Sequence, residues 1–325
     1  MTETAPRRTQ LAIVVPFYDE AAVAAALVDR VIRVLDNLEK SAGIDWQIVC
    51  VNDGSKDSTL DILIGAHRRE SRIRILDLSR NFGKECALTA GLERAEADVV
   101  ITMDGDGQHP PELIPTMVAK WREGFEVVYM VREEREITGL HRVLRAAFYW
   151  LFALASPTKL PPESGDFRLM DRRVVHAVVS LPERTRFLKG IYSWVGFRQT
   201  GLPYREERRA EGMSRWRLVA LIRFAMVALS AFSTLPLRVW SWIGAVVATL
   251  SLLYGAWRVL RAVVWGIDLP GFETIVVSIT FLGGVQLLSL GVLGGYVGRI
   301  FDEVKGRPLY IVRRTYGFTE DDPGP

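Results

Sequence analysis

The chain runs to 325 residues, enough for one large or two modest domains, and sets 41 Lys and Arg against 38 Asp and Glu for a net charge of +3. That balance gives no grounds for a nucleic-acid partner, and two cysteines, Cys50 and Cys86, exclude a disulfide framework. Hydrophobic residues make up 49% of the sequence and mean hydropathy is +0.13, high for a wholly soluble protein.

Met1 to Gln10 is polar and holds no apolar core for a cleavable signal, so the first 230 or so residues are expected to stay where they are made. Leu11 to Pro16 reads as a strand and about Glu20 to Glu39 as a helix. A second strand, Gln47 to Val51, ends in Asn52-Asp53-Gly54-Ser55. A helix from Ser58 to about Arg69, a strand over Ile73 to Leu78 and a helix over about Gly83 to Ala95 follow. Val99 to Met103 reads as a buried strand, and Val127 to Val131 as one more. Strands alternating with helices imply a mostly parallel sheet covered on both faces, whose ligands bind beyond the carboxyl ends of the strands. Pro16, Asp53 and Asp104 all fall at those ends. No Gly-x-Gly-x-x-Gly or Walker-type loop follows the first strand, so dinucleotide and P-loop chemistry lose support.

Asp104 and Asp106, separated by one glycine, close the Val99 strand. Two carboxylates so placed can converge on a hard divalent cation, Mg²⁺ or Mn²⁺, which would neutralise a diphosphate. The competing reading is an Asp/Gly turn ahead of the next helix.

Further along, about Gly139 to Ala155 and Trp216 to Phe232 mix apolar, aromatic and basic residues. They read as amphipathic helices, lying in a membrane interface or packed on the sheet. Val239 to Trp257 (19 residues) and Thr274 to Gly298 (25 residues) carry no charge. At about 1.5 Å per residue they span about 29 and 37 Å, enough to cross a hydrocarbon core of about 30 Å. Arg299, Lys305, Arg307, Arg313 and Arg314 follow the second run, against Arg258 and Arg261 between the two, so both termini are expected in the cytoplasm. Glycines four apart, Gly291 with Gly295 and Gly294 with Gly298, suit close helix packing with the first run or between subunits.

The motifs Val15-Pro-Phe-Tyr-Asp-Glu20, Val51-Asn-Asp-Gly-Ser-Lys-Asp-Ser58, Met103-Asp-Gly-Asp-Gly-Gln108, Ser164-Gly-Asp-Phe-Arg-Leu-Met-Asp171 and Arg205-Glu-Glu-Arg-Arg-Ala-Glu-Gly-Met-Ser-Arg-Trp216 together resemble the GT-A glycosyltransferases of family 2. With two apolar runs behind them they look like the polyprenyl-phosphate group, which includes bactoprenol glucosyltransferases and dolichyl-phosphate mannose synthases. The resemblance implies that Pro16, Tyr18, Glu20 and Asp104 lie against a nucleotide sugar and that Asp53 binds the base. It implies that Asp104, Asp106 and Gln108 hold the metal, and that Asp166 stands near sugar and acceptor as a base or an orienting group. Arg132, Arg208, Ser214 and Arg215 would contact the lipid phosphate or diphosphate, with Arg135 and Arg142 as further cations, while His109 reads as structural. Asp19 stands where many such proteins have asparagine.

The resemblance further implies an inverting transfer of one hexose, with glucose from UDP-glucose the leading choice, to undecaprenyl phosphate at the cytoplasmic face of a bacterial inner membrane. GDP-mannose or a UDP-aminopentose are the competing donors, and a non-catalytic membrane adaptor is the reading of another class. A processive synthase is disfavoured, because Arg215-Trp216 lacks the glutamine of a Gln-x-x-Arg-Trp motif. The expected organisation is a GT-A catalytic domain over 1–212, a juxtamembrane amphipathic helix over 213–234, two transmembrane helices (about 235–258 and 273–298) and a cytoplasmic tail over 300–325. The bilayer is an expected partner, and the resemblance points to a homo-oligomer such as a tetramer.

Overall fold

The computed structural model describes residues 8–132, 164–184, 186–205, 235–265 and 271–318. Arg135, Arg142, Arg208, Ser214 and Arg215, the amphipathic segments expected around 139–155 and 216–232, and the end of the tail lie outside the described residues.

The elements run β1 (Thr9–Phe17), α1 (Ala21–Ala42), β2 (Ile44–Asn52), α2 (Thr59–Arg69), β3 (Ile73–Leu78), α3 (Lys84–Arg94) and β4 (Val99–Thr102). A 3-10 turn at Pro111–Leu113 leads into α4 (Ile114–Arg122), then β5 (Val127–Arg132), β6 (Ser164–Asp171), α5 (Arg172–Val179), α6 (Leu188–Trp194) and β7 (Gln199–Tyr204). The long helices α7 (Leu235–Trp265) and α8 (Phe272–Val304) precede β8 (Val312–Tyr316).

Helix α1 shows how pattern becomes packing. Leu27, Val28, Val31, Leu35 and Leu38 recur three or four residues apart and are buried together against the sheet. The helix stops at Gly43, whose φ of 63° suits glycine and whose N–H reaches the Glu39 carbonyl at 3.0 Å. Leu11 to Val15 in β1 are buried at every position, as a strand covered on both faces requires.

The eight strands form one sheet in the order β7-β5-β6-β4-β1-β2-β3-β8. β1 pairs in parallel with β2 and β4, β2 with β3, and β5 with β7. β6 is inserted antiparallel between β4 and β5, and β8 runs antiparallel along β3. The fold is therefore α/β with a mostly parallel sheet, modified by two antiparallel strands.

Residues beyond α8, expected only as a tail, supply the edge strand β8. The Ser79 N–H donates to the Ile311 carbonyl at 2.9 Å, and the Arg313 guanidinium donates to the Ser79 carbonyl at 2.5 Å. Tyr310 is buried beside α3, its hydroxyl bonded to Glu93. This strap covers the otherwise open edge of β3, entering next to the loop that starts α3 and leaving beside the start of β3.

In the second compact unit, α8 contains one stretch, Phe281–Val304, long and apolar enough to cross a membrane. Its side chains at Leu287, Leu290 and Ile300 are exposed. The apolar run in α7, Trp242–Trp257, is shorter. No described atom comes within 4 Å of a Cβ built on Gly291, Gly294, Gly295 or Gly298, so the close approach expected there to the first helix is not made among the described residues.

Candidate active site

The parallel run of β1 to β4 delivers residues 17–20, 52–58, 79–84 and 103–109 to one edge of the sheet. The first two loops are laced together. Asp53 N–H donates to the Phe17 carbonyl at 2.8 Å, Glu20 N–H to Thr59 Oγ1 at 3.0 Å and Ala21 N–H to Asp57 Oδ2 at 3.1 Å. Asp19 sits at φ 54°, a left-handed conformation that Asp and Asn tolerate best among side-chain-bearing residues. Its Oδ1 accepts the Lys56 N–H at 2.7 Å, and an asparagine could place the same kind of oxygen there. Pro16 is buried at the strand end, Tyr18 is exposed on the rim, and the Glu20 carbonyl accepts the first N–H groups of α1.

Asp53 builds the next loop. Its two carboxylate oxygens accept the N–H groups of Phe82 (2.7 Å) and Gly83 (2.9 Å). Burial pushes this carboxyl up, while the two N–H groups and Arg80 oppose the rise. The carboxylate thus fixes the turn that launches α3.

The first residue of α3 is Lys84, which the motif reading passed over. Its Nζ lies 2.6 Å from Asp104 Oδ1 and 2.5 Å from Asp166 Oδ2. The sheet explains the meeting. β6 pairs antiparallel with β4 so that Thr102 faces Arg168, and two residues further the same register sets Asp104 across from Asp166. Thr102 Oγ1 also donates to the Asp166 carbonyl at 2.6 Å, fastening β6 at that point. Burial alone would raise the Asp166 carboxyl, but Lys84 foremost, then Lys189 and Arg168, hold it well below the usual carboxylate range. Burial likewise works against the Lys84 charge, and Asp166 with Asp104 outweighs it, holding the ammonium above the ordinary lysine range.

Asp106 and Gln108 occupy the turn beyond Asp104, where the Gln108 N–H donates to Asp106 Oδ1 at 3.1 Å. Gly107 has φ 74°. A Cβ on Gly105 would lie 2.5 Å from the Pro16 carbonyl oxygen and 2.8 Å from the Phe17 ring. The glycine therefore lets the carboxylate turn press against the end of β1. Gly105→Ala should cost about 1–3 kcal/mol through overpacking. It should also displace the carboxylates enough to slow turnover about 10²-fold; a denaturant melt and kcat of one preparation check both.

His109 is fully buried and stacks on Phe167 with ring centroids 5.0 Å apart. Its Nδ1 accepts the Asp104 N–H at 3.0 Å, and burial lowers its pKa, so the neutral ring braces the turn as the structural reading expected. Arg132 ends β5 close enough to His109 for its charge to oppose ring protonation. Below Asp166, Arg168 is buried with its guanidinium 4.0 Å above the Tyr192 ring and donates to the Gly165 carbonyl at 2.9 Å. Burial, with the nearby Asp166 charge, pushes the Glu85 carboxyl up. Cys50 is buried and pushed up to about 12, which makes it an inert packing residue.

Asp104, Asp106 and Gln108 provide two carboxylates and an amide oxygen within one turn, a hard donor set that suits Mg²⁺ or Mn²⁺. Among the described residues no group of three or more His, Cys, Asp or Glu comes together as a cage. Three such donors would make only a partial shell, of the kind Mg²⁺ uses when substrate phosphates complete it.

Residues 12–179 match the glycosyl transferase family 2 profile. The chain is 46% identical over 309 residues to an uncharacterized glycosyltransferase of Synechocystis sp., covering 95% of this chain and 96% of that one. It is 41% identical over 308 residues to the SfII prophage-derived bactoprenol glucosyl transferase of Shigella flexneri, covering 94% and 98%. A prophage bactoprenol glucosyl transferase homolog of Escherichia coli K12 is 39% identical over 306 residues, covering 94% and 99%.

Proposed function

The chain belongs to glycosyl transferase family 2 and is a transferase, and on that premise we propose that it moves one glucose from UDP-glucose to undecaprenyl phosphate, with inversion, at the cytoplasmic face of a bacterial inner membrane. The observation that carries the reading is the meeting of Asp104 and Asp166 across one crevice at the carboxyl edge of the sheet. Likeness over nearly the full chain to proteins named for bactoprenol glucosyl transfer supports glucose and the lipid acceptor. The apolar stretch Phe281–Val304 supports a membrane setting.

In this reading Pro16, Tyr18 and Glu20 frame the nucleotide and Asp53 takes its base, while the same carboxylate holds the Phe82-Gly83 turn. Asp104, Asp106 and Gln108 hold a divalent cation. Bound there, that cation would offset negative charge on the departing diphosphate. Asp166 orients the sugar opposite the leaving group. Arg132, with Arg208, Ser214 and Arg215, takes the acceptor phosphate, whose planar guanidinium partners suit bidentate contact.

The test is the full-length protein in detergent with labelled UDP-glucose, undecaprenyl phosphate and Mn²⁺ or Mg²⁺. A butanol-extractable glucolipid of the anomer opposite to the donor is expected. Parallel arms with GDP-mannose and a UDP-aminopentose decide the donor. Lipid product from neither UDP-glucose nor the others would sink the reading.

A further inference from the structure

Lys84 is the least expected member of the site. One ammonium stands 2.6 Å from Asp104 and 2.5 Å from Asp166, and two-fifths of its side chain remains exposed. It is not a stray surface lysine. Gly83 immediately before it takes φ 96°, and the N–H groups of Phe82 and Gly83 are pinned to Asp53, so the loop aims the first side chain of α3 at the two carboxylates. A lysine in the first turn of a helix works against the helix dipole, which makes the carboxylates the reason for its place there.

The same Asp104 is the residue through which the site would bind a divalent cation, so this inference rests on the metal reading given above. Lys84 and a divalent ion would then share one carboxylate at hydrogen-bonding range. Two cations at such separation repel strongly, and neither can hold Asp104 fully while the other does. Asp106 and Gln108 alone form a poor shell for a hard ion. A diphosphate changes the balance, because its oxygens complete the coordination sphere and its charge gives the displaced ammonium a new partner.

We propose that Lys84 is a built-in counter-ion that competes with the divalent cation for Asp104, so that metal and nucleotide diphosphate bind cooperatively, the empty site is held by Lys84 and the bare ion is disfavoured. Lys84 is a positioning residue in this scheme, acting through Asp104 and Asp166. By linkage, the factor by which UDP tightens Mn²⁺ equals the factor by which Mn²⁺ tightens UDP, and both include the release of Lys84.

The experiment measures Mn²⁺ binding to the full-length protein in detergent, by the electron paramagnetic resonance signal of free Mn²⁺, with and without UDP. In the wild type UDP should tighten Mn²⁺ strongly. Lys84→Met and Lys84→Gln should each bind Mn²⁺ without UDP about tenfold or more tightly than the wild type, and the effect of UDP should shrink in proportion. Lys84→Arg should restore the wild-type pattern. Nucleotide-free Mn²⁺ affinity unchanged or weakened in both neutral variants overturns the proposal, since a merely structural lysine would loosen the site when removed. Asp104→Asn separates the two readings. If it abolishes Mn²⁺ binding while the Lys84 variants do not tighten it, the competition fails and the metal site stands. If Asp104→Asn leaves Mn²⁺ affinity intact, the metal reading fails, and the competition with it.

Discussion

Asp104→Asn should lower kcat about 10³-fold at saturating sugar donor, a loss of about 4 kcal/mol of transition-state stabilisation. The substitution is nearly isosteric, and the Asp104 backbone N–H that donates to His109 at 3.0 Å is untouched. What disappears is one unit of negative charge at the centre of the site. Asparagine retains an acceptor oxygen, but it neither neutralises a hard cation nor pairs fully with Lys84 at 2.6 Å. Activity should therefore fall while the melting temperature stays within a few degrees of the wild type. Steady-state kinetics over a Mn²⁺ series, with a melt of the same preparation, check both halves. Residual kcat within tenfold of the wild type would remove Asp104 from the reaction.

The carboxylate pair was legible in the sequence because an apolar run, a strand end and a glycine between two aspartates are all local signals. The strands from β1 to β5 were legible for the same reason, and Ile73–Leu78 was placed at its observed bounds. β6, β7 and β8 were not. Ser164–Asp171 contains Gly165, Asp166 and Arg168, and no period of two shows through; its strand state comes from the β4 and β5 edges on either side. β7 includes Gly201 and Pro203, and β8 includes Arg313 and Arg314, compositions that pairing with a neighbour overrides.

Lys84 follows from that gap. In Asn81-Phe-Gly-Lys84 a lysine at a helix start looks like a solvated charge. Its meaning depends on Asp104 facing Asp166, and that depends on an antiparallel strand that no local pattern announced. One signal is present: Lys84 follows the third parallel strand, and Pro16, Asp53 and Asp104 mark the ends of the first, second and fourth at one crevice. Completing that series brings the lysine to the aspartates. Asp53 shows the same gap from the other side: its motif points to the base, and the fold adds that both its oxygens hold the loop that aims Lys84, a role no local pattern announces.

Asp166→Asn should lower kcat about 10²-fold and leave the shape of the pH–rate profile unchanged. The physical question is whether Asp166 removes a proton or fixes a geometry. Lys84, Lys189 and Arg168 outweigh burial and hold its carboxyl well below the ordinary range, so it stays ionised through the neutral and mildly acidic region. A carboxylate so held is a weak proton acceptor. The proposed acceptor, a lipid phosphate with a second pKa of about 6, would already have lost most of its proton at pH 7 and would need little help. An acid limb near pH ~6 therefore belongs to the acceptor and should persist in the variant. Stability has a defined sign as well. A depressed carboxyl contributes above its unfolded pKa of about 3.9, and that contribution fades as pH falls through the lower folded value. The melting gap between wild type and Asp166→Asn should thus be constant from about pH 5 to 8 and close only in stronger acid. It should also fall short of the 3–5 kcal/mol typical of a broken buried pair, because Lys84 is 41% exposed and keeps Asp104. Disappearance of the acid limb in the variant, or a loss beyond about 10⁴-fold, would make Asp166 the base after all.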